Sequence, residues 1–394
     1  MPYGAEPPPK DNEIYHLPTG LRMRYPAMME MLSGARLVCV GETHDNRNAQ
    51  RVELAVLKGM AERFPGRVAL GMEMFRTPQQ EALDNWVRGG YASEADFLKA
   101  AKWFSTWGYD FGYYRELLEY ARDHRIDVIA LNPSKELEDE VSEKGIEGLT
   151  PERKALLPEL GPVDPIQKEV MKGIYGGHLP SEGMFDSFFR VQMLWEEHMA
   201  ERVASYLRSP RGAGKRVVTV TGGWHVKYGF GLPKKVVRRL PLPYATVIPE
   251  DITPPSERLP GRTMEVELPP IPLVPADFYW MVAFDTLEGK QVRLGVQIRG
   301  KEGAVEVESV VPASPAEEGG LRKGDRIVSL DGDPVTEVED VFYRVGARKA
   351  GDVVKVTVRR DGGETTLPVT LRTLSMPKGH GESKERGAAA GQGE

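Results

Sequence analysis

Short apolar runs recur through the first two thirds of the chain, each stopped by a glycine or a polar residue and followed by a longer amphipathic stretch. Residues 37–40, Leu-Val-Cys-Val, form a continuous apolar run with β-branched members. That pattern predicts an inner strand of a parallel sheet covered on both faces. Further strands are predicted over 67–71, 126–131 and 216–221. A helix is predicted over 47–64, with Leu54, Leu57, Ala61 and Phe64 on one face and Pro65-Gly66 ending it. Other helices are expected over 77–86, 92–104, 113–124 and, longest, 185–208. Alternating strands and helices give the fold class α/β, a mostly parallel sheet covered by helices.

The residues that follow the strands carry the candidate chemistry. The first run hands over to Gly41, Glu42, Thr43, His44 and then Asp45 or Asn46 as a helix cap; the second to Glu73; the third to Asn132; the fourth to Gly222-Gly223-Trp224-His225. Ligands of open α/β sheets sit beyond the carboxyl ends of the strands, so these residues converge on one crevice. Two histidines and two carboxylates suffice for a divalent metal with an open position, or for a general base beside an electrophile. Glu42, His44, Glu73 and His225 are therefore both the candidate catalytic set and the candidate metal ligands. Two plainer readings stand beside this: a capping turn over 42–46 and a Glu73–Arg76 ion pair. There is no His-Glu-x-x-His, nucleophile elbow, Walker loop or Rossmann glycine fingerprint.

Aromatics crowd residues 103–114, with Tyr109 and Tyr113 among them. They could line a flat apolar ligand, a tyrosine supplying an iron ligand, or pack a loop onto a helix. On the long helix, Gln192 interrupts the stripe of Phe188, Trp195, Met199, Val203 and Tyr206, and Glu196 stands one turn on. Asn132, Gln192 and Glu196 join the two tyrosines as candidate cofactor-binding residues. His198 lies off the stripe and is expected to face solvent. Residues 134–183 lack clean periodicity and read as an insertion or lid, His178 among them; residues 249–275 are proline-rich and linker-like.

The last third changes pattern. A strand entered at Leu294-Gly295-Val296-Gln297-Ile298 is followed by Ser314-Pro315-Ala316, then Gly320-Leu321-Arg322-Lys323-Gly324-Asp325-Arg326-Ile327, a helix over 338–345 and a strand over 353–360. These residues resemble a bacterial-type PDZ domain, small and mainly β, over 287–374. The resemblance implies peptide binding along an exposed strand edge: amides near Leu294 and Gly295 would hold a terminal carboxylate, Val296 and Ile298 would pair with the peptide, and Val341 and Val345 would line its side-chain pocket.

Composition narrows the partners. A net charge of -6 over 394 residues excludes a basic footprint for nucleic acid. The one cysteine, Cys39, lies within the first strand, a core position. The opening lacks a basic region followed by an apolar one, and no apolar run is long enough to span a bilayer, so a cytoplasmic protein without a transmembrane segment is expected. Residues 1–11 and 375–394 are expected to be disordered.

Residues 12–286 resemble the ChaN-like, haem-binding-uptake branch of the Tiki superfamily. The resemblance rests on Gly41-Glu42-Thr43-His44-Asp45-Asn46, Gly71-Met72-Glu73-Met74-Phe75, the 192–200 stretch, Gly223-Trp224-His225-Val226 with Gly231-Leu232-Pro233, and Ala276-Asp277-Phe278-Tyr279-Trp280. The family helix usually carries aspartate at the position of Glu196 and a small residue at that of His198, and its members are often lipoproteins, whereas no lipobox is seen here. The resemblance implies haem or iron binding, and a homodimer where a flat ligand is shared between protomers. Wider relatives, the Tiki proteases and erythromycin-esterase-like enzymes, imply instead a metal-dependent hydrolase built on Glu42, His44, Glu73 and His225. Fold alone does not choose between them.

Overall fold

The structure, a computed structural model, describes residues 8–175, 182–253, 271–287, 292–301 and 303–374. His178, residues 1–7 of the lead, the 375–394 tail and residues 254–270 of the proline-rich stretch lie outside the described residues. The chain forms two compact units, Met1–Ser93 with Phe111–Thr286, and Glu94–Asp110 with Leu287–Glu394.

The first unit opens with a hairpin, β1 (Ile14–His16) and β2 (Leu21–Met23), then α1 (Tyr25–Ser33). Next come β3 (Leu37–Glu42), α2 (Arg47–Arg63), β4 (Val68–Arg76) and α3 (Gln80–Arg88). Two short helices of the 94–110 segment, α4 (Glu94–Ala100) and α5 (Trp103–Thr106), belong to the second unit. The first unit resumes with α6 (Arg115–Asp123), β5 (Asp127–Asn132), α7 (Lys135–Lys144), α8 (Pro151–Lys154), α9 (Pro165–Tyr175) and α10 (Glu182–Arg208). It closes with β6 (Arg216–Gly222), α11 (Leu232–Arg239), β7 (Tyr244–Asp251) and β8 (Phe278–Val282).

Its sheet runs β2-β1-β8-β7-β3-β6-β4-β5. From β8 to β5 every neighbouring pair is parallel, and the entry hairpin adds antiparallel at one edge. Every residue of β3 is buried, which is why its sequence is a run and not an alternation. Asn46 caps α2, its side chain accepting from the Asn48 amide at 3.1 Å.

Two stretches are more regular than their sequence suggested. The 134–183 run holds α7, capped by Ser134, and α9. Its charges cover the surface and mask the buried contacts of Leu137 and Val141 with Leu194, and of Val170, Met171 and Ile174 with Phe185 and Phe189. Likewise β7 runs through Pro249. Its pairing with β3 ends at Val247, so the proline falls beyond the part of β7 paired on both sides.

The second unit continues with β9 (Val292–Arg293), β10 (Val296–Lys301), β11 (Ala304–Val310), α12 (Pro315–Glu318), β12 (Arg326–Leu330) and β13 (Asp333–Pro334). Then follow α13 (Val338–Gly346), β14 (Val353–Arg360), β15 (Gly363–Thr370) and β16 (Arg372–Thr373). Its main sheet is antiparallel in the order β10-β11-β12-β14-β15, with β13 on β12, so β10 lies at an edge. Val305, Val307, Ile327, Val341, Val345, Val356 and Val358 form its core. Among the described residues no helix is long and apolar enough to cross a membrane.

Cys39 is fully buried in β3, and burial pushes its thiol up to about 12. A thiolate is the reactive form. A disulfide dye such as DTNB should therefore leave the native protein unlabelled and react after denaturation; prompt labelling of the native protein would contradict this placement.

Candidate functional site

The parallel register sets the site. Glu42, the last residue of β3, pairs with Gly222 at the end of β6, and β4 flanks β6 on its other side with Glu73 just beyond the paired stretch. Three adjacent central strands thus deliver Glu42, Glu73 and, through the turn after β6, His225 to one end of the sheet.

Glu42 is buried and fully engaged. Its Oε1 accepts from the Tyr114 hydroxyl at 2.7 Å and lies 2.6 Å from His44 Nδ1, while Oε2 accepts from Gln50 Nε2 at 2.5 Å. Asn46 caps α2 by itself, so Glu42 and His44 are left to pair with each other. Glu53, one turn beyond Gln50, is wholly buried, and no donor among the described residues reaches its carboxyl oxygens. Burial first, and the Glu42 charge second, raise its pKa well above the carboxylate range. Both effects favour its neutral form.

Glu73 Oε2 accepts from the Gly222 amide at 2.6 Å, and Oε1 lies 3.6 Å from His225 Nε2. The Glu73–Arg76 pairing is not formed; Arg76 Nη1 reaches Glu138 Oε2 at 2.7 Å. On its other side His225 Nδ1 lies 3.3 Å from Glu196 Oε1 and 2.9 Å from Gln192 Nε2. Glu196, fully buried, also accepts from Gln192 at 3.0 Å, from Gln167 at 2.8 Å and from Lys235 Nζ at 2.7 Å. Burial opposes charge on all three central groups, but their mutual attraction outweighs it: His225 rises to about 10, and Glu73 and Glu196 fall to about 2. This is a buried ion chain, Glu73, His225, Glu196, Lys235.

His44 differs. Its side chain is 22% exposed. Burial disfavours its charged form, yet the charge and hydrogen bond of Glu42, with the more distant Glu73, raise its pKa overall. A Cβ at Gly222 would lie 3.2 Å from His44 Nε2, so a glycine there avoids a tight contact with the ring.

The remaining sequence candidates separate. Asn132 lies at the same end of the sheet on the outer strand β5, opposite Arg76, with its Oδ1 unbonded among the described residues. Gln192 and Glu196 join the ion chain. Tyr113 is buried, its hydroxyl 2.9 Å from Thr286 Oγ1, while Tyr109 is 37% exposed and belongs to the second unit. His198 does not face solvent; its Nε2 lies 2.8 Å from Thr77 Oγ1, and burial, helped by Arg202, lowers its pKa to about 4. Among the described residues no group of three or more His, Cys, Asp or Glu is placed to hold a metal ion. Glu73 and His225 are committed to each other, to the Gly222 amide and to Glu196, and Glu42 to His44 Nδ1, Tyr114 and Gln50. Sequence reasoning missed Gln50, Glu53, Tyr114, Gln167 and Lys235. The signal for the first two was present: both are polar residues on the α2 face that carries Leu54 and Leu57.

In the second unit Gly295 has φ +84°, and a Cβ there would lie 2.3 Å from Ser314 Cβ, so the loop into β10 closes only on glycine. The Leu294 and Gly295 carbonyls accept from the Ala316 and Val311 amides at 2.8 Å. Val341 and Val345 are buried on α13, and Val296 and Ile298 of β10 pack against the same core.

The ion chain generates a prediction. Lys235→Met leaves the Glu196 charge buried with one fewer partner and is expected to cost about 3–5 kcal/mol in urea unfolding. Adding Glu196→Gln should return most of that loss. The pH dependence follows from the signs. The raised pKa of His225 contributes stability that is complete below about 6.5 and lost as pH rises through about 10. The lowered pKa values of Glu73 and Glu196 contribute stability complete above about 4.5 and lost as pH falls through about 2. His225→Gln should flatten the alkaline limb; an unchanged limb would place the charge elsewhere.

Comparison with known proteins bears on the family and the fold. Residues 28–236 match the family model described as haem-binding uptake, Tiki superfamily, ChaN, and residues 292–371 match the PDZ domain. The ChaN structure of Campylobacter jejuni, described with cofacial haem, superposes with a TM-score of 0.52 at 16% identity over 68% of this chain and 96% of that one, a likeness of fold. Short matches reach a probable periplasmic serine endoprotease, DegP-like, of Ectopseudomonas mendocina (41% identical over 68 residues). Another reaches a putative zinc metalloprotease of Brucella suis (35% over 82 residues). They cover 17% and 21% of this chain and only 14% and 21% of those proteins. With the family model spanning more than half of its length, the chain belongs to the haem-binding-uptake ChaN family of the Tiki superfamily, and it carries a PDZ domain after the family domain.

Proposed function

We propose that the first unit binds haem at the crevice beyond β3, β6 and β4, and that the PDZ domain binds the free carboxyl terminus of an extended peptide. His44 carries the haem reading. It is the partly exposed member of the site, and Glu42 holds its Nδ1 at 2.6 Å. An imidazole that ligates iron needs its other nitrogen fixed in this way, and haem accepts histidine as an axial ligand. Tyr114 and Gln50 orient Glu42 in turn, and Gly222 places no side chain against His44 Nε2. The cofacial haem binding for which the Campylobacter jejuni ChaN structure is described supports the same ligand class. Bound haem would supply an iron centre; the protein would hold and orient the imidazole, whose Nε2 proton would leave to solvent.

The hydrolase alternative would need Glu42, His44, Glu73 and His225 free to act on water or on a metal. Glu73 and His225 are committed to each other, to Glu196 and to the Gly222 amide, which favours the haem reading. For the second unit, the edge position of β10 supports strand addition by a peptide, with Leu294 and Gly295 at the carboxylate end and Val341 and Val345 below the pocket.

Hemin added to the purified protein should give a Soret band that saturates at fixed stoichiometry. Glu42→Gln should weaken binding about 10- to 100-fold, and His44→Ala should weaken it further. Because a ligating histidine is neutral and the pKa of His44 is raised, binding should also strengthen as pH rises through its titration. A protein without a saturable Soret band overturns the haem reading. Stoichiometric zinc or manganese, with peptide or ester turnover lost in His44→Ala, would put the hydrolase in its place.

A further inference from the structure

The Glu94–Asp110 segment leaves the first unit after Ser93 and rejoins it at Phe111, so both of its ends are covalently fixed there. Yet α4 and α5 lie against the PDZ helix α13. Lys99 Nζ sits 3.0 Å from Glu337 Oε1 and 3.1 Å from Asp340 Oδ1. Ser105 Oγ donates to Glu339 Oε1 at 2.5 Å. The rings of Phe104 and Phe342 stack, centroids 5.1 Å apart and planes 21° from parallel.

The place of Phe342 on α13 gives this contact its meaning. Val338, Phe342 and Val345 follow one another at i, i+4 and i+7 and so form one stripe. Val338 and Val345 close the core beneath β10, against which Val296 and Ile298 pack. Phe342 continues that apolar surface outward and remains 39% exposed even with Phe104 upon it. A large apolar side chain beside a strand edge is what a bound peptide uses for side-chain specificity. Here a side chain of the same protein is already stacked there. One of the polar contacts around it is of a kind that can be exchanged: Lys99 and Glu337 are both more than a third exposed, and exposed ion pairs hold weakly.

We propose that the Glu94–Asp110 segment is an internal ligand of the PDZ domain, with Phe104 standing where a bulky apolar side chain of an incoming C-terminal peptide docks. The inference rests on reading the PDZ domain as a peptide binder. A peptide with an apolar residue upstream of its free carboxylate displaces Phe104 and releases α4 and α5 from α13. Peptide binding thereby acts on a segment whose two ends belong to the haem-binding unit.

The test uses the full-length chain. A library of fluorescein-labelled pentapeptides with free carboxyl termini is titrated against wild type, Phe104→Ala and Lys99→Glu, with fluorescence polarisation as the readout. Both variants are expected to bind their best peptides about 10-fold tighter than wild type, because the binding-competent fraction rises. In wild type, hydrogen exchange over residues 94–106 should quicken when peptide is added. Two variants guard against a folding defect in either. Equal affinities in all three proteins, with exchange over 94–106 unchanged, overturn the internal ligand and leave the peptide-binding reading intact. No binding by any of the three overturns that reading and this inference with it.

Discussion

Four carboxyl groups, those of Glu42, Glu53, Glu73 and Glu196, are buried at one end of one sheet, and each must be given a counter-charge, a donor or a proton. An isolated buried carboxylate costs far more than a fold can spare. Glu196 is served by Lys235, Gln167 and Gln192, Glu73 by the Gly222 amide and His225, and Glu42 by Tyr114, Gln50 and His44. Burial and the Glu42 charge shift Glu53 toward its neutral form. These requirements reach well beyond the sheet. They bring together α2, α6, α9, α10 and α11, and they explain why α9 is held in place: Gln167, buried, donates to Glu196 and accepts from Lys235 at 3.2 Å. Within the segment whose sequence suggested an insertion or lid, α9 is part of the support of the site.

The same constraint separates the two histidines. His225 sits between two carboxylates and is held charged, with both ring nitrogens directed at anions. An imidazolium in that position is a structural cation, and protonation leaves it no lone pair for a metal. His44 meets Glu42 through Nδ1 and retains solvent exposure. Two residues with equal standing in the sequence thus acquire different chemistry from how deeply each ring is buried and how closely carboxylates hold it.

How much of this was legible in the sequence depended on the range of the interaction. The central strands were readable because burial on both faces leaves continuous apolar runs, and Glu42, His44, Glu73 and His225 were readable because each lies just past such a run. The pairing among them was not. That Arg76 turns to Glu138, and that Lys235 reaches Glu196, are decided by contacts across 62 and 39 positions of sequence. The entry hairpin and α11 were missed because three-residue strands and an eight-residue helix carry too little period to register. His198 was misplaced for a related reason: α10 is contacted on more than one side, so lying off its main stripe did not mean facing water.

The aromatic run over 103–114 shows a further limit. As sequence it is one feature, a dense cluster able to line one flat ligand. In the fold it is divided, with Trp103 and Tyr109 in the second unit and Phe111, Tyr113 and Tyr114 in the first. Tyr114, not chosen from the sequence, is the member that reaches the site, through Glu42. The division also means that the compact unit containing the PDZ domain is not the contiguous sequence that matches a PDZ model. A fragment beginning at Leu287 would lack α4 and α5, leaving Phe342, Glu337 and Asp340 without Phe104 and Lys99. Its surface along α13 would differ from that of the full chain. The second unit and the sequence that matches a PDZ model are therefore not the same piece of chain, because residues 94–110 supply part of that unit from the middle of the sequence.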